Sequence, residues 1–167
     1  MSVQIKQLDT IQTYKSELCS LLIETVNQGA SIGFHLPMHE EEARAFWDEY
    51  QPHEYRVTLG AFKEQRLIGT VSLELINKSN GSHRAEVCKL MVHPGARRLG
   101  AARKLMNELE NIAKQHSRSL LVLDTREGDP SNKLYISLGY EVAGTIPDFA
   151  SNEKGELEAT NLYYKLI

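Results

Sequence analysis

The chain has 167 residues, 19 of them basic and 22 acidic, for a net charge of −3, with 41% hydrophobic and 25% charged side chains. That is enough apolar chain for a single domain, 1–167, with a real core, and the slight acidic excess argues against nucleic acid as a partner, because few cations are free to displace counterions from phosphates. Cys19 and Cys88 match no metal spacing, residues 1–10 carry no signal-peptide core, and no run approaches the ~20 apolar residues of a membrane span, so the expectation is a cytoplasmic protein with reduced thiols and no membrane partner.

Residues 3–8 alternate apolar and polar side chains, which predicts a short strand. Asp9 and Gln12 have the spacing of a capping box for a helix that carries Tyr14, Leu18, Leu21, Leu22 and Thr25 on one side and ends near Gly29. A second helix is predicted over 38–50. Glu40, Glu41 and Glu42 suit the positive end of its dipole, and Ala43, Phe46, Trp47 and Tyr50 form its apolar stripe. Strands over 55–62 and 66–76 follow, joined tightly through Lys63-Glu64-Gln65, and the turn signal Asn80-Gly81 leads into a strand over 84–92. This half reads as an antiparallel meander.

The pattern then changes. A helix over 98–116 carries Leu99, Ala102, Met106, Leu109 and Ala113 at helical spacing, and the unbroken apolar run 120–123 marks a strand covered on both faces. Strand, helix and strand in that order make a right-handed parallel crossover. Asp129 and Pro130 have the form of an N-cap and first residue of a short helix, which Gly139 ends. Strands over 140–146 and 160–166, with a polar loop 147–158 between them, complete an α/β reading: an α+β mixed sheet of about seven strands with four helices.

The segment after the strand at 84–92 is the most informative. Proline in His93-Pro94-Gly95 cannot continue a ladder, and a helix begins near Arg98. The first N–H groups of a helix have no internal partners and sit at the positive end of its dipole. Small residues at Gly100, Ala101 and Ala102 open that backbone to a phosphate, and Arg97, Arg98 and Arg103 add charge, so the stretch Arg97 to Arg103, with Leu99 inside it, has the makings of an anion site. Taken alone, the same small residues also suit close helix–sheet packing.

Arg97-x-x-Gly100-x-Ala102 resembles the (Gln/Arg)-x-x-Gly-x-(Gly/Ala) signature of the GNAT acetyltransferases, and the likeness runs over nearly the whole chain. Within that superfamily the sequence is most similar to the tabtoxin-resistance acetyltransferases. The stretches that carry this are Glu24-Thr25-Val26, Gly29-Ala30-Ser31-Ile32-Gly33-Phe34, Arg84 through Val92, Leu123-Asp124-Thr125 and Tyr163-Tyr164-Lys165. One departure is that the family often has glycine where this chain has Arg98 and Ala102. The resemblance implies a GNAT-type fold whose parallel central strand pair is splayed around acetyl-CoA. It further implies pantetheine contacts at Met91 and Val92 and a cofactor contact from Asn132.

Acetyl transfer to an amine needs a base, because an alkylamine with a pKa near ~10 is protonated at neutral pH. Glu86 is the first choice. It lies eleven residues before Arg97, the spacing of the catalytic glutamate in the histone-acetylating branch, and alternation puts it on one face with Cys88 and Leu90. The alternative is an edge carboxylate paired with Arg84 or a lysine. Asp124 ends the apolar strand, where ligands gather in open α/β sheets, and the resemblance makes it a second catalytic carboxylate, placed to bind the acceptor ammonium or to share the base role with Glu86; otherwise it caps a turn with Thr125. Tyr135, three residues after Asn132, is the expected acid for the thiolate; otherwise it is a half-buried aromatic beside Leu138.

Cys88 reads as a structural thiol rather than an acetyl carrier. His35 and His39 have zinc-helix spacing, but Pro37 between them breaks a helix, so no metal is expected. Gly33 and Phe34 lie where the family overhangs the acceptor; His35 and Tyr163 are weaker additions. The leading expectation is an N-acetyltransferase acting on a small primary amine, amino-acid-like in kind. A protein amine as acceptor, and a CoA-binding module without chemistry, are the alternatives. The strand at 160–166 is apolar enough for core or for a homodimer interface.

Overall fold

The computed structural model describes residues 2–167. Its strands are β1 (Gln4–Gln7), β2 (Arg56–Lys63), β3 (Arg66–Leu75), β4 (Arg84–Val92), β5 (Leu120–Arg126), β6 (Glu141–Ser151) and β7 (Leu157–Leu166). Its helices are α1 (Lys15–Asn27), α2 (Glu40–Glu49), α3 (Ala101–Gln115) and α4 (Ser131–Ser137). The strands form one sheet in the order β1-β2-β3-β4-β5-β7-β6. Only β4 and β5 run parallel, because α3 carries the chain back across the sheet between them.

The helical stripes divide the core between the two faces of the sheet. α3 buries Leu105, Met106, Leu109 and Ala113 against Val71, Leu73, Ala85, Val87 and Leu121. On the other face, α1 and α2 bury Leu18, Leu22, Val26 and Trp47 with Phe62, Leu67 and Met91. The Trp47 indole N–H donates to the Leu18 carbonyl at 3.0 Å, which satisfies a buried polar atom and ties α2 to α1. No helix of the described residues is long and apolar enough to cross a membrane, and none of their His, Cys, Asp and Glu side chains cluster in threes fit to hold a metal.

The feature that positions the site is the parallel pair. β4 and β5 are in register only at Arg84↔Leu120, Ala85↔Leu121 and Glu86↔Val122, and beyond Glu86 they separate. Close to the separation β4 carries a β-bulge. Ser72 stands opposite Cys88 and Thr70 opposite Met91, so Lys89 and Leu90 together face Val71. Lys89 takes the left-handed region at φ 55°, as one residue of a bulge can, and the strand bends there.

That bulge ends the expected alternation. Glu86 and Cys88 share the α1–α2 side, whereas Leu90 and Val92 pack with Val87 into the α3 core. The helix expected from Arg98 starts at Ala101, because Arg98 (φ 63°) and Gly100 (φ 77°) are both left-handed. Asp9 does not cap α1: Thr10 Oγ1 accepts from the Gln12 N–H at 3.2 Å, and a 3-10 turn at Gln12–Tyr14 precedes the helix. Asp129 does not cap α4, because its carboxylate pairs with Arg126 at 3.0 Å. Within the apolar run, Leu121 and Leu123 are buried but Leu120 and Val122 only partly so.

Residues 147–158 are mostly strand rather than loop. β6 continues through Pro147, where a proline is tolerated because β6 is an edge strand and is irregular between Ile146 and Ala150. β7 is interior, between β5 and β6, and buries Tyr163. The exposed strand is β6, where Val142 and Phe149 stay about half accessible, at 53% and 52%.

Candidate active site

The turn after β4 is built from backbone. A 3-10 turn at Pro94–Ala96 is closed by His93, whose Nδ1 accepts the Gly95 N–H at 3.1 Å. Arg97 is extended, Arg98 and Gly100 are left-handed, and no side chain caps α3. Among the described residues, the backbone N–H groups of Arg98, Leu99, Gly100, Ala101, Ala102 and Arg103 have no acceptor. The helical ladder starts with Lys104 N–H to the Gly100 carbonyl at 3.0 Å. Consecutive free donors at the positive end of a helix form an anion cradle. A Cβ at Gly100 would meet nothing within 4 Å, so the approach is open. Arg103 is held to Ser137 Oγ at 2.7 Å, while Arg97 and Arg98 are exposed. The left-handed φ of Arg98 gives a reason for glycine at that position in similar sequences, since a side chain there costs about 1 kcal/mol.

A cavity of about 270 Å³ lies beside the splay, walled by Glu86, Cys88, Lys89, Asp124, Phe149 and Thr160 among others. Gly33 reaches this wall. The Phe34 ring instead packs edge-on against Phe46 at 5.3 Å. Glu86 is half-buried. Burial first, then the charges of Asp124 and of Glu74, its neighbour on β3, raise its carboxyl above the ordinary range, with Lys89 and Arg84 opposing. A raised carboxyl is a stronger base, and two carboxylates at one cleft are the arrangement that produces one. Asp124 Oδ2 accepts from Thr160 Oγ1 at 2.8 Å. Cys88 lies two residues from Glu86, but burial and the nearby carboxylates push its thiol up to about 12, so it stays protonated and poorly nucleophilic.

Tyr135 comes from the opposite face. Its ring is buried in the α3-side core, 5.8 Å from Tyr140 and 5.9 Å from Tyr163. Its hydroxyl has no hydrogen-bond partner among the described residues. Burial first, then the charges of Asp124 and Cys88, raise it above the usual phenol range, so it stays a neutral donor.

Asn132 is fully engaged inside the fold. Its Nδ2 donates to the carbonyls of Arg126 and Asp129 at 2.9 and 2.8 Å, and its Oδ1 accepts from Asn161 Nδ2 and Tyr163 Oη at 2.9 and 2.7 Å. It locks the start of α4, and so Tyr135, to β5 and β7. Sequence reasoning passed over Lys89, Thr160 and Arg126. Strict alternation from Glu86 puts residue 89 on the wrong face, and only the bulge, which no glycine or proline announces, brings it to the cavity.

A splayed parallel pair with an open backbone anion cradle at its mouth is the arrangement of a group transferase that takes a phosphate-bearing cofactor. The sequence model of the Acetyltransferase (GNAT) family matches residues 20–140. The chain belongs to that family and is an acetyl-CoA-dependent N-acetyltransferase.

Solved structures carry the same fold. The ribosomal-protein-alanine N-acetyltransferase from Brucella melitensis superposes with a TM-score of 0.83 at 21% identity, covering 98% of this chain and 99% of that one. A Salmonella typhimurium protein, yncA, determined with its cofactor acetyl-CoA, gives 0.79 at 16% identity, over 99% and 94%. A structure assigned as a phosphinothricin N-acetyltransferase gives 0.79 at 17% identity, over 99% of each chain. At these identities the likeness is one of fold.

Proposed function

We propose that the enzyme acetylates the primary amine of a small, amino-acid-like molecule by direct attack, with Glu86 as general base, Asp124 as the group that binds the acceptor ammonium, and Tyr135 as general acid. The observation that supports this reading is the pair of carboxylates, Glu86 and Asp124, in one cavity beside the splay of β4 and β5, with the unpartnered hydroxyl of Tyr135 on the α3 side of the sheet. The free donors of Arg98 through Arg103 fit a pyrophosphate, and the edge of β4 that β5 leaves open at Met91 and Val92, still paired with β3 on its other side, fits an extended amide arm. When bound there, acetyl-CoA supplies an activated acetyl thioester. Glu86 takes the proton from the amine, and its raised carboxyl brings the basicity of its oxygen closer to the task. Tyr135 Oη delivers its proton to the departing sulfur. The pushed-up Cys88 thiol argues against an acetyl-cysteine route.

A small acceptor, rather than a protein, is supported by what covers the cavity. His35 Nε2 lies 2.9 Å from the Ser151 carbonyl oxygen, and Arg126 Nη2 donates to the Gly29 carbonyl at 2.8 Å. The segment 29–37 is thereby clipped to the β6–β7 hairpin and to the end of β5. Kinship with the tabtoxin-resistance enzymes rests on the sequence stretches above, with the fold of the phosphinothricin N-acetyltransferase as a supporting hint. A single domain at work in the cytoplasm fits the same reading, and the exposed β6 edge is where a homodimer contact would form.

The test is thiol release from acetyl-CoA across a panel of free amino acids, polyamines and peptides. Turnover on free amino acids supports the proposal. Turnover confined to peptides would transfer it to a protein acceptor.

A further inference from the structure

We propose that Lys89 determines acceptor specificity by pairing with an anionic group of the substrate, so that the cavity selects amines that also carry a carboxylate or a comparable anion. This rests on the acetyl-transfer reading above and extends it to what the acceptor must carry besides its amine.

Ordinary alternation would aim residue 89 at the α3 core. The left-handed φ of 55° places it instead on the cavity wall with Glu86 and Cys88. A lysine held in that region pays for it locally, since a non-glycine residue there costs on the order of 1 kcal/mol.

The ammonium is also under-used. An ammonium has three donors. Lys89 Nζ spends one on the Ile32 carbonyl at 3.2 Å, and no carboxylate of the described residues pairs with it. Its other neighbours are the faces of Phe34 and Phe46, at 6.0 and 5.8 Å, which attract a cation weakly. Glu86 feels its charge but is not within ion-pair distance, so the ammonium keeps donors to spare. Gly33 fits closely, since a Cβ there would stand 3.5 Å from Nζ.

The other cation of the cavity cannot do this work. Arg126 directs Nε to Asp129, Nη1 to Glu158 and Nη2 to the Gly29 carbonyl, so its guanidinium is committed to the fold. The cavity therefore carries the carboxylates of Glu86 and Asp124 together with the spare donors of Lys89. A ligand with an ammonium and an anion complements both at once.

The experiment compares each of the twenty common L-amino acids with its own carboxamide as acceptor, in the wild-type enzyme and in Lys89→Met and Lys89→Arg. The readout is the ratio of kcat/KM for acid over amide. Taking the same pair in each enzyme cancels differences in amine basicity. The wild type should prefer the acid for its best acceptors, Lys89→Met should lower that ratio by about tenfold or more, and Lys89→Arg should keep most of it. Equal losses on acid and amide in Lys89→Met, with a shifted pH profile, would mean that Lys89 acts on Glu86 and would overturn the inference. So would a wild-type preference for amides. A folded enzyme that binds acetyl-CoA by calorimetry yet acetylates no amine would remove the transfer reading, and this inference with it.

Discussion

The backbone cradle after β4 and the cavity beside the splay, which the proposed function gives to the cofactor and to the acceptor, are built from different materials. The cradle is backbone: consecutive free N–H groups between Arg98 and Arg103, set by two left-handed residues and a helix start. The cavity is side chain: Glu86 and Lys89 from β4, Asp124 from β5, Thr160 from β7 and Phe149 from β6. A backbone site binds any ligand with the right phosphates and tolerates changes in side chain. A side-chain site can change its acceptor by one substitution without disturbing the fold. The contrast suits a family that keeps one cofactor while its acceptors vary.

Substitutions that respect this contrast should separate the two halves. The largest effect is expected at the acid–base groups, where Tyr135→Phe should lower kcat by about 10²–10⁴ while leaving acetyl-CoA binding by calorimetry close to wild type. Next, Ala102→Asp sets a negative charge against the cradle. It should raise the KM for acetyl-CoA by about 10²–10³-fold, the range of a like-charge contact near a protein surface, and do so equally for every acceptor. If its effect depended on the amine, the two sites would not be separate.

Smaller effects follow at the supports. Thr160→Val removes the hydrogen bond to Asp124 and should cost about tenfold in kcat/KM for the amine, with no change in the KM for acetyl-CoA. Arg98→Gly relieves a left-handed side chain. It should stabilise the fold by about 1 kcal/mol, seen as a melting temperature higher by about 2–4 °C, with phosphate binding retained because only the backbone N–H is used.

The same contrast decides what could be read from the sequence. The cradle is local, so Arg97 through Ala102 announced it, although the helix starts at Ala101 rather than Arg98. The strand order and the parallel pair were legible from hydrophobic periodicity and the apolar run after α3. The bulge was not, because Lys89 and Leu90 look like ordinary strand residues and the extra residue shows only against Val71 of β3. Both strands of the β6–β7 hairpin were legible, but not their extension through 147–151 and 157–158, because the β6 residues there are mostly exposed and Pro147 and the polar stretch after it read as loop. Asn132 was expected at the cofactor from the family resemblance. Its full set of internal hydrogen bonds can be seen only once β5, β7 and α4 are together.

The account turns on Glu86 as a base whose carboxyl is raised by burial and by Asp124. A raised carboxyl favours folding while it is protonated, and that contribution is lost as pH rises through its folded value. Glu86→Gln should therefore melt higher than wild type at neutral pH, with the gap closing below the ordinary carboxylate range. The direct measurement is the pH dependence of kcat/KM for acetyl-CoA, at saturating amine, in wild type, Asp124→Asn and Glu86→Gln. The wild type should gain activity along an acid limb lying above the ordinary carboxylate range. Asp124→Asn should move that limb to lower pH, because one neighbouring negative charge is gone. Glu86→Gln should lose the limb together with about 10²–10⁴ in rate. A Glu86→Gln enzyme that keeps full kcat and the wild-type limb would contradict the assignment.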